Sequence, residues 1–155
     1  MASRHLPRYA FLVPLAASFA IGAEKPDFTG RWELIVEKSS FGTATKPVRM
    51  TVESTMQGAA MRSTQTTYTG QESQTTEFTW YLDGKRHPTE KPAPGYSVTH
   101  WEDSTLITER ASDDGAYKEI AHLSLSRDRK VATEVIQTTT PNGNNKEKLV
   151  WRKVP

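Results

Sequence analysis

The 155-residue chain contains no cysteine. No disulfide can staple it, and neither a thiol nucleophile nor a thiolate metal site can be built from it. Stability must come from burial, and a domain of about 130 residues can bury roughly two-thirds of its unfolded surface, enough for one core. A convincing helical period is also missing, as is an apolar run long enough to span a bilayer as a helix. The longest such stretch, Ala10 to Ile21, falls short of the roughly 20 residues that a spanning helix needs.

That stretch follows Arg4 and Arg8 and precedes the small residues Gly22 and Ala23, the order of a secretory signal peptide rather than of a buried N-terminal helix. Residues 1–23 are therefore expected to be a leader cleaved near Ala23, with Ala20 as the alternative, leaving one domain over residues 24–155 in a secreted or periplasmic protein. The formal charge of +2 belongs to the leader: without its two arginines, 18 basic residues face 18 acidic ones. A nucleic-acid partner, which calls for a clustered positive field, loses its compositional support. Short basic runs at Lys85-Arg86 and Arg127-Asp128-Arg129-Lys130 sit where turns are expected.

Beyond the leader, apolar residues recur at every second position. Trp32, Leu34 and Val36 share one face against Arg31, Glu33 and Glu37; Val48, Met50 and Val52 alternate with Arg49, Thr51 and Glu53; Phe78, Trp80 and Leu82 alternate with Glu77, Thr79 and Tyr81. These are half-buried strands. Tyr117, Ala121, Leu123 and Leu125 repeat the pattern with Glu119 interrupting it, and Val131, Thr133 and Val135 follow. Gly, Asn and Asp fall between the runs, where hairpins need residues that tolerate positive φ. Strands are expected at 30–37, 48–55, 59–69, 74–82, 96–101, 105–110, 116–126, 131–140 and 146–153. Short antiparallel connections and this strand number predict an all-β, antiparallel up-and-down meander closing into a barrel of about eight to nine strands, with a two-sheet sandwich as the alternative.

Two connections exceed hairpin length. Lys38 to Lys46 carries Phe41-Gly42, with Phe41 read either as an apolar plug over a cavity mouth or as the anchor of its own loop. Gly84 to Gly95 carries Pro88, Pro92 and Pro94 and is expected to run extended over the surface.

Phe28-Thr29-Gly30-Arg31-Trp32-Glu33-Leu34 at the start and Val150-Trp151-Arg152-Lys153-Val154 at the end resemble the opening and closing strands of the calycin group, the lipocalins and fatty-acid-binding proteins. The resemblance implies that Gly30 and Trp32 close one barrel end under a basic side chain, Arg152 or Lys153. Over residues 28–153 the chain is similar to secreted bacterial proteins with a lipocalin-like barrel, whose turns Leu82-Asp83-Gly84-Lys85-x-His87-Pro88 and Ser126-x-Asp128-x-Lys130 resemble. It departs from fatty-acid-binding proteins in having no helical pair after the first strand, and from typical lipocalins in having no long helix before the last. The family's Arg and Tyr ligand anchors do not carry over residue by residue.

Catalytic groups are sparse. No Gly-x-Ser-x-Gly elbow is present, and the adjacent carboxylates Glu102-Asp103 and Asp113-Asp114 read as turn caps. His100 and Glu102 share a strand face and His122 lies on a later strand, yet spacing alone does not bring them together, and no metal, cofactor or catalytic residue is assigned. An outer-membrane barrel is disfavoured by the charges Arg31, Glu33, Arg49, Glu53 and Lys118 on the outer faces. The expected function is to bind a small apolar or amphipathic molecule inside the barrel, with Met50, Phe78, Trp80 and Leu82 as the ligand-contacting residues and Ser63, Gln65 and Thr67 adding polarity. The alternative is an envelope interaction protein with a packed interior and its loops as the contact surface.

Overall fold

The computed structural model describes residues 24–90 and 92–155; the expected leader and its cleavage point lie outside them. Ten strands form one antiparallel sheet: β1 Gly30–Leu34, β2 Arg49–Gln57, β3 Ala60–Thr69, β4 Glu72–Tyr81, β5 His87–Thr89, β6 Gly95–Glu102, β7 Thr105–Ser112, β8 Lys118–Leu125, β9 Val131–Thr140 and β10 Gly143–Val154. Their spatial order is β4-β3-β2-β1-β10-β9-β8-β7-β6-β5. Every sequential pair from β1 to β4 and from β5 to β10 is antiparallel and hydrogen-bonded, and β1 with β10 joins the two ends of the chain. The result is a meander curled into a nearly closed barrel, interrupted by a seam where β4 and β5 meet without pairing among the described residues.

Two sequence expectations are corrected here. The strand count is ten rather than eight to nine, because the proline-rich connection holds β5, whose Pro88 lies opposite Tyr96 on a sheet edge, where proline's missing N–H costs no ladder bond. The first strand stops at Leu34 rather than residue 37, since a 3-10 turn at Val36–Lys38 turns the chain away. Beyond it Ser40 bridges to Lys148, and Asn145 accepts a bond from the Thr43 amide at 2.8 Å. Phe41 packs against the core, anchoring its own loop.

One turn is built twice. In Ser112–Tyr117 and Ser126–Val131 the serine hydroxyl donates to an aspartate two residues on, Asp114 at 2.5 Å and Asp128 at 2.6 Å, and accepts the amide of Tyr117 or Val131 at 2.9 Å. The aspartates also accept the Ala116 and Lys130 amides; these bonds hold both carboxyls below their usual range. Gly115 and Arg129 supply the left-handed residue that such a turn requires.

Buried Phe28, Trp32, Met61, Leu106, Ala132, Leu149 and Trp151 form the core at one end of the barrel. Trp32 lies directly opposite Lys153 in the β1–β10 register, with the ammonium 5.4 Å from the indole centroid, while its N–H donates to the Phe28 carbonyl at 2.9 Å. Of the two basic residues expected to cover it, Lys153 does so. Arg152 faces the other side and donates to Glu33 at 2.8 Å. Gly30 sits beneath the lysine: its φ is +134°, a conformation that favours glycine, and a Cβ there would only push the flexible Lys153 side chain aside, its Cε being 2.7 Å away.

Candidate functional site

Strand alternation aims every second side chain into the barrel, where a cavity of about 700 Å³ remains unfilled. Met50, Val52 and Ser54 reach it from β2, Met61, Ser63 and Gln65 from β3, and Phe78 and Trp80 from β4. Across the interior stand Leu106, Thr108 and Arg110 of β7, Ala121 and Leu123 of β8, Ala132, Glu134 and Ile136 of β9, and Glu147, Leu149 and Trp151 of β10. Phe28 and Trp32 form the apolar floor. At the seam the cavity touches consecutive residues, Thr76 to Tyr81 on one edge and His87 to Glu90 on the other, so it opens sideways between the two unpaired strands.

The expected ligand contacts divide. Met50, Phe78 and Trp80 line this cavity, the last two rings meeting edge to face at 5.1 Å. Leu82 does not: it lies one residue past β4, its amide donating to the Ala59 carbonyl at 2.7 Å, and borders a separate recess with Met56 and Trp101. Ser63 and Gln65 face inward, and Gln65 donates at 3.4 Å to Thr67, which lies off the cavity wall. In β9 the inward set is Ala132, Glu134 and Ile136, the opposite parity to the expected Val131, Thr133 and Val135. The β-branched residues tolerate either face of a sheet, so their alternation does not say which is inside.

Sequence reading missed the charged side of the cavity. Arg110 pairs across the β7–β8 ladder with Glu119, donating from Nε at 2.8 Å and also from Nη2, and its guanidinium lies 5.3 Å from the Trp80 ring. The Tyr117 hydroxyl donates to the other Glu119 oxygen; burial first, then this bond, pushes the phenol's pKa up, so it stays protonated. Glu147 accepts from the Asn145 amide at 2.9 Å, and burial pushes its carboxyl up, with Glu119 adding repulsion. Burial likewise pushes Glu134 up to about 7; Glu119 and Glu147 add to the shift, while Arg110 and a hydrogen bond from Trp151 oppose it. Neutral polar groups complete the lining: Ser54 bonds Ser63 at 2.9 Å, and Thr108 is paired at 3.0 Å with the buried Thr99. Among the described residues no buried side-chain nitrogen or oxygen lacks a partner. A signal for the carboxylates existed: each stands at an inward position of an alternating run, Glu119 before Ala121 and Leu123, Glu134 between Ala132 and Ile136, and Glu147 before Leu149 and Trp151.

The shift at Glu134 has a consequence for stability. The folded state holds this proton more tightly than the unfolded chain, so the carboxyl's contribution is complete below its ordinary value of 4.5 and is lost as pH rises through about 7. Glu147 acts with the same sign, whereas the lowered carboxyls of Asp27, Asp83, Asp114 and Asp128 stabilise the fold fully above their ordinary value of 3.8 and lose that contribution only as pH falls below it. Urea unfolding between about pH 5 and pH 8 is therefore expected to show wild-type stability falling with pH, and Glu134→Gln flattening the fall. Parallel pH profiles for the two proteins would contradict the assignment to Glu134.

The histidines stand apart from the cavity's polar side. His87 stacks on Tyr81 at 4.1 Å between ring centroids and bonds Asp83 at 3.0 Å, pinning one end of the seam. His100 lies 3.6 Å from Glu102, and His122 is aligned with Ile107 and Val135. Among the described residues no group of three His, Cys, Asp or Glu side chains is placed to hold a metal ion.

No family model matches the chain, and no curated protein matches it in sequence. Solved structures do match in fold. A fatty-acid-binding protein of Echinococcus granulosus superposes with a TM-score of 0.60 at 17% identity, covering 83% of this chain and 98% of its own. REP1-NXSQ fatty acid transporter gives 0.61 at 12% identity, over 82% of this chain and 96% of its own. The zebrafish ileal bile-acid-binding protein, solved with cholic acid, gives 0.56 at 16% identity, over 82% and 98%. The antiparallel, nearly closed barrel is thus the fold seen in these fatty-acid-binding proteins.

Proposed function

We propose that this chain is a non-enzymatic binding protein that holds one small apolar or amphipathic molecule inside its barrel. The observation that carries the reading is the cavity of about 700 Å³ with aromatic and aliphatic side chains on one side and a few convergent polar groups on the other, the make-up of a small-molecule site. A barrel filled by its own side chains, which the interaction-protein alternative requires, would leave no such volume. The similar barrels support the reading, since their names record fatty acids and a bile acid as cargo. Burying an alkyl chain against Phe28, Met50 and Phe78 gains about 0.8 kcal/mol per methylene. Export is part of the same proposal, resting on the basic start, the apolar stretch from Ala10 and the small residues at Gly22 and Ala23.

Titration of residues 24–155 with the neutral probe N-phenyl-1-naphthylamine should quench tryptophan emission saturably, and Trp80→Phe should remove much of the quenching because Trp80 lies on the cavity wall. Absence of saturable binding by this probe and by a neutral alkyl alcohol would defeat the reading. For export, mass spectrometry of the protein from its native host should find an N-terminus between Ile21 and Lys25, and an intact Met1 on the folded protein would defeat it.

A further inference from the structure

We infer that the cavity selects an amphipathic amine, an apolar body carrying an ammonium group, because its interior carboxylates outnumber its one arginine and that arginine is already paired. The inference rests on the cavity being a ligand site, as proposed above; the cavity makes the site, and the carboxylates set the sign of its occupant. The charged side chains that line its interior are Arg110, Glu134 and Glu147, with Glu77, Glu90 and His87 at the seam, and among the described residues no lysine lines it. Arg110 and Tyr117 both donate to Glu119, which leaves Glu134 and Glu147 on the adjacent strands with only neutral donors, the Trp151 indole and the Asn145 amide. His87 is engaged by Asp83.

An anionic head entering this space would meet two carboxylates and find the guanidinium taken, and like charges at close range in a poorly solvated site repel strongly. An ammonium would meet the reverse, with acceptors from β9 and β10 and an apolar wall of Met50, Phe78 and Leu149 for its body. Burial raises both carboxyls, and at Glu134 it outweighs the opposing Arg110; an ammonium beside them favours their ionised form, so its binding expels a proton and tightens as pH rises. The outer groups facing β9 and β10 across the ladder, such as Lys148 opposite Val135, have the other parity and do not reach the cavity.

The test is calorimetry of residues 24–155 with three probes of one chain length, decylammonium, decanoate and decanol, each below its micellar concentration. At about pH 8 decylammonium should bind at least about tenfold more tightly than decanoate, and its affinity should rise from about pH 6 to pH 8. In Glu134→Gln/Glu147→Gln, isosteric changes whose folding is checked by a thermal melt, the gap between the two ions should narrow severalfold. Should the double variant not fold, the wild-type ion preference and its pH trend decide. Decanoate binding as tightly as decylammonium, or a preference that survives in the folded double variant, would overturn the inference while leaving the carrier reading intact. If none of the three binds, the carrier reading fails and this inference with it.

Discussion

Trp32→Ala is expected to lower the unfolding free energy by about 3–5 kcal/mol, the usual cost of deleting a large aromatic side chain from a core. Trp32 is 4% exposed and meets three unlike partners. Its ring packs in the cluster with Phe28, Met61 and Trp151, its N–H satisfies the Phe28 carbonyl, and Lys153 covers its outer face. Alanine removes all three contacts at once and leaves the Phe28 carbonyl short of a donor at the closed end of the barrel. Lys153→Ala should cost far less, on the order of 0.5–1 kcal/mol, because an exposed cation over a ring contributes modestly. Urea melts of the two variants measure the difference. Equal losses, or no loss for Trp32→Ala, would remove Trp32 from the role of end closure.

Arg110→Met should cost about 3 kcal/mol at neutral pH, the lower end for breaking a buried ion pair. The lower end applies because the arginine side chain keeps 27% exposure, whereas Glu119 keeps only 8%. Methionine preserves the apolar stem against Trp80 but removes the cation that answers Glu119, near Glu134 and Glu147, and leaves Tyr117 as its remaining donor. Glu119→Gln placed on top should recover most of the loss, since removing both charges of a buried pair is often close to neutral. A double-mutant cycle by equilibrium denaturation isolates the pair. A loss that Glu119→Gln fails to relieve would mean that Arg110 acts through packing alone.

The closed end was legible in the sequence and the polar side was not. Gly30, Trp32 and the basic pair near the C-terminus were marked by the resemblance of the two end strands to the calycin group, which left open only the choice between Arg152 and Lys153. That choice depends on register, which puts Lys153 and not Arg152 opposite Trp32. Glu119 was visible as a break in an apolar face, yet only the β7–β8 register shows that Arg110 answers it. Glu134 was hidden because Val131, Thr133 and Val135 offer a credible face of their own, and parity in a strand has no local marker. β5 was hidden because three residues around a proline carry no alternation to read.

The seam beside Trp80 also bears on how the barrel moves. Elsewhere the wall is a continuous ladder, so widening it would break several backbone bonds together; between β4 and β5 no strand pairing is present among the described residues. A Tyr81–His87 stack and an arginine resting on Trp80 are among the contacts that hold that line, and these can separate independently of each other. The wall can therefore flex like a split ring, spreading at its slit while the opposite side, where β1 grips β10, serves as the spring.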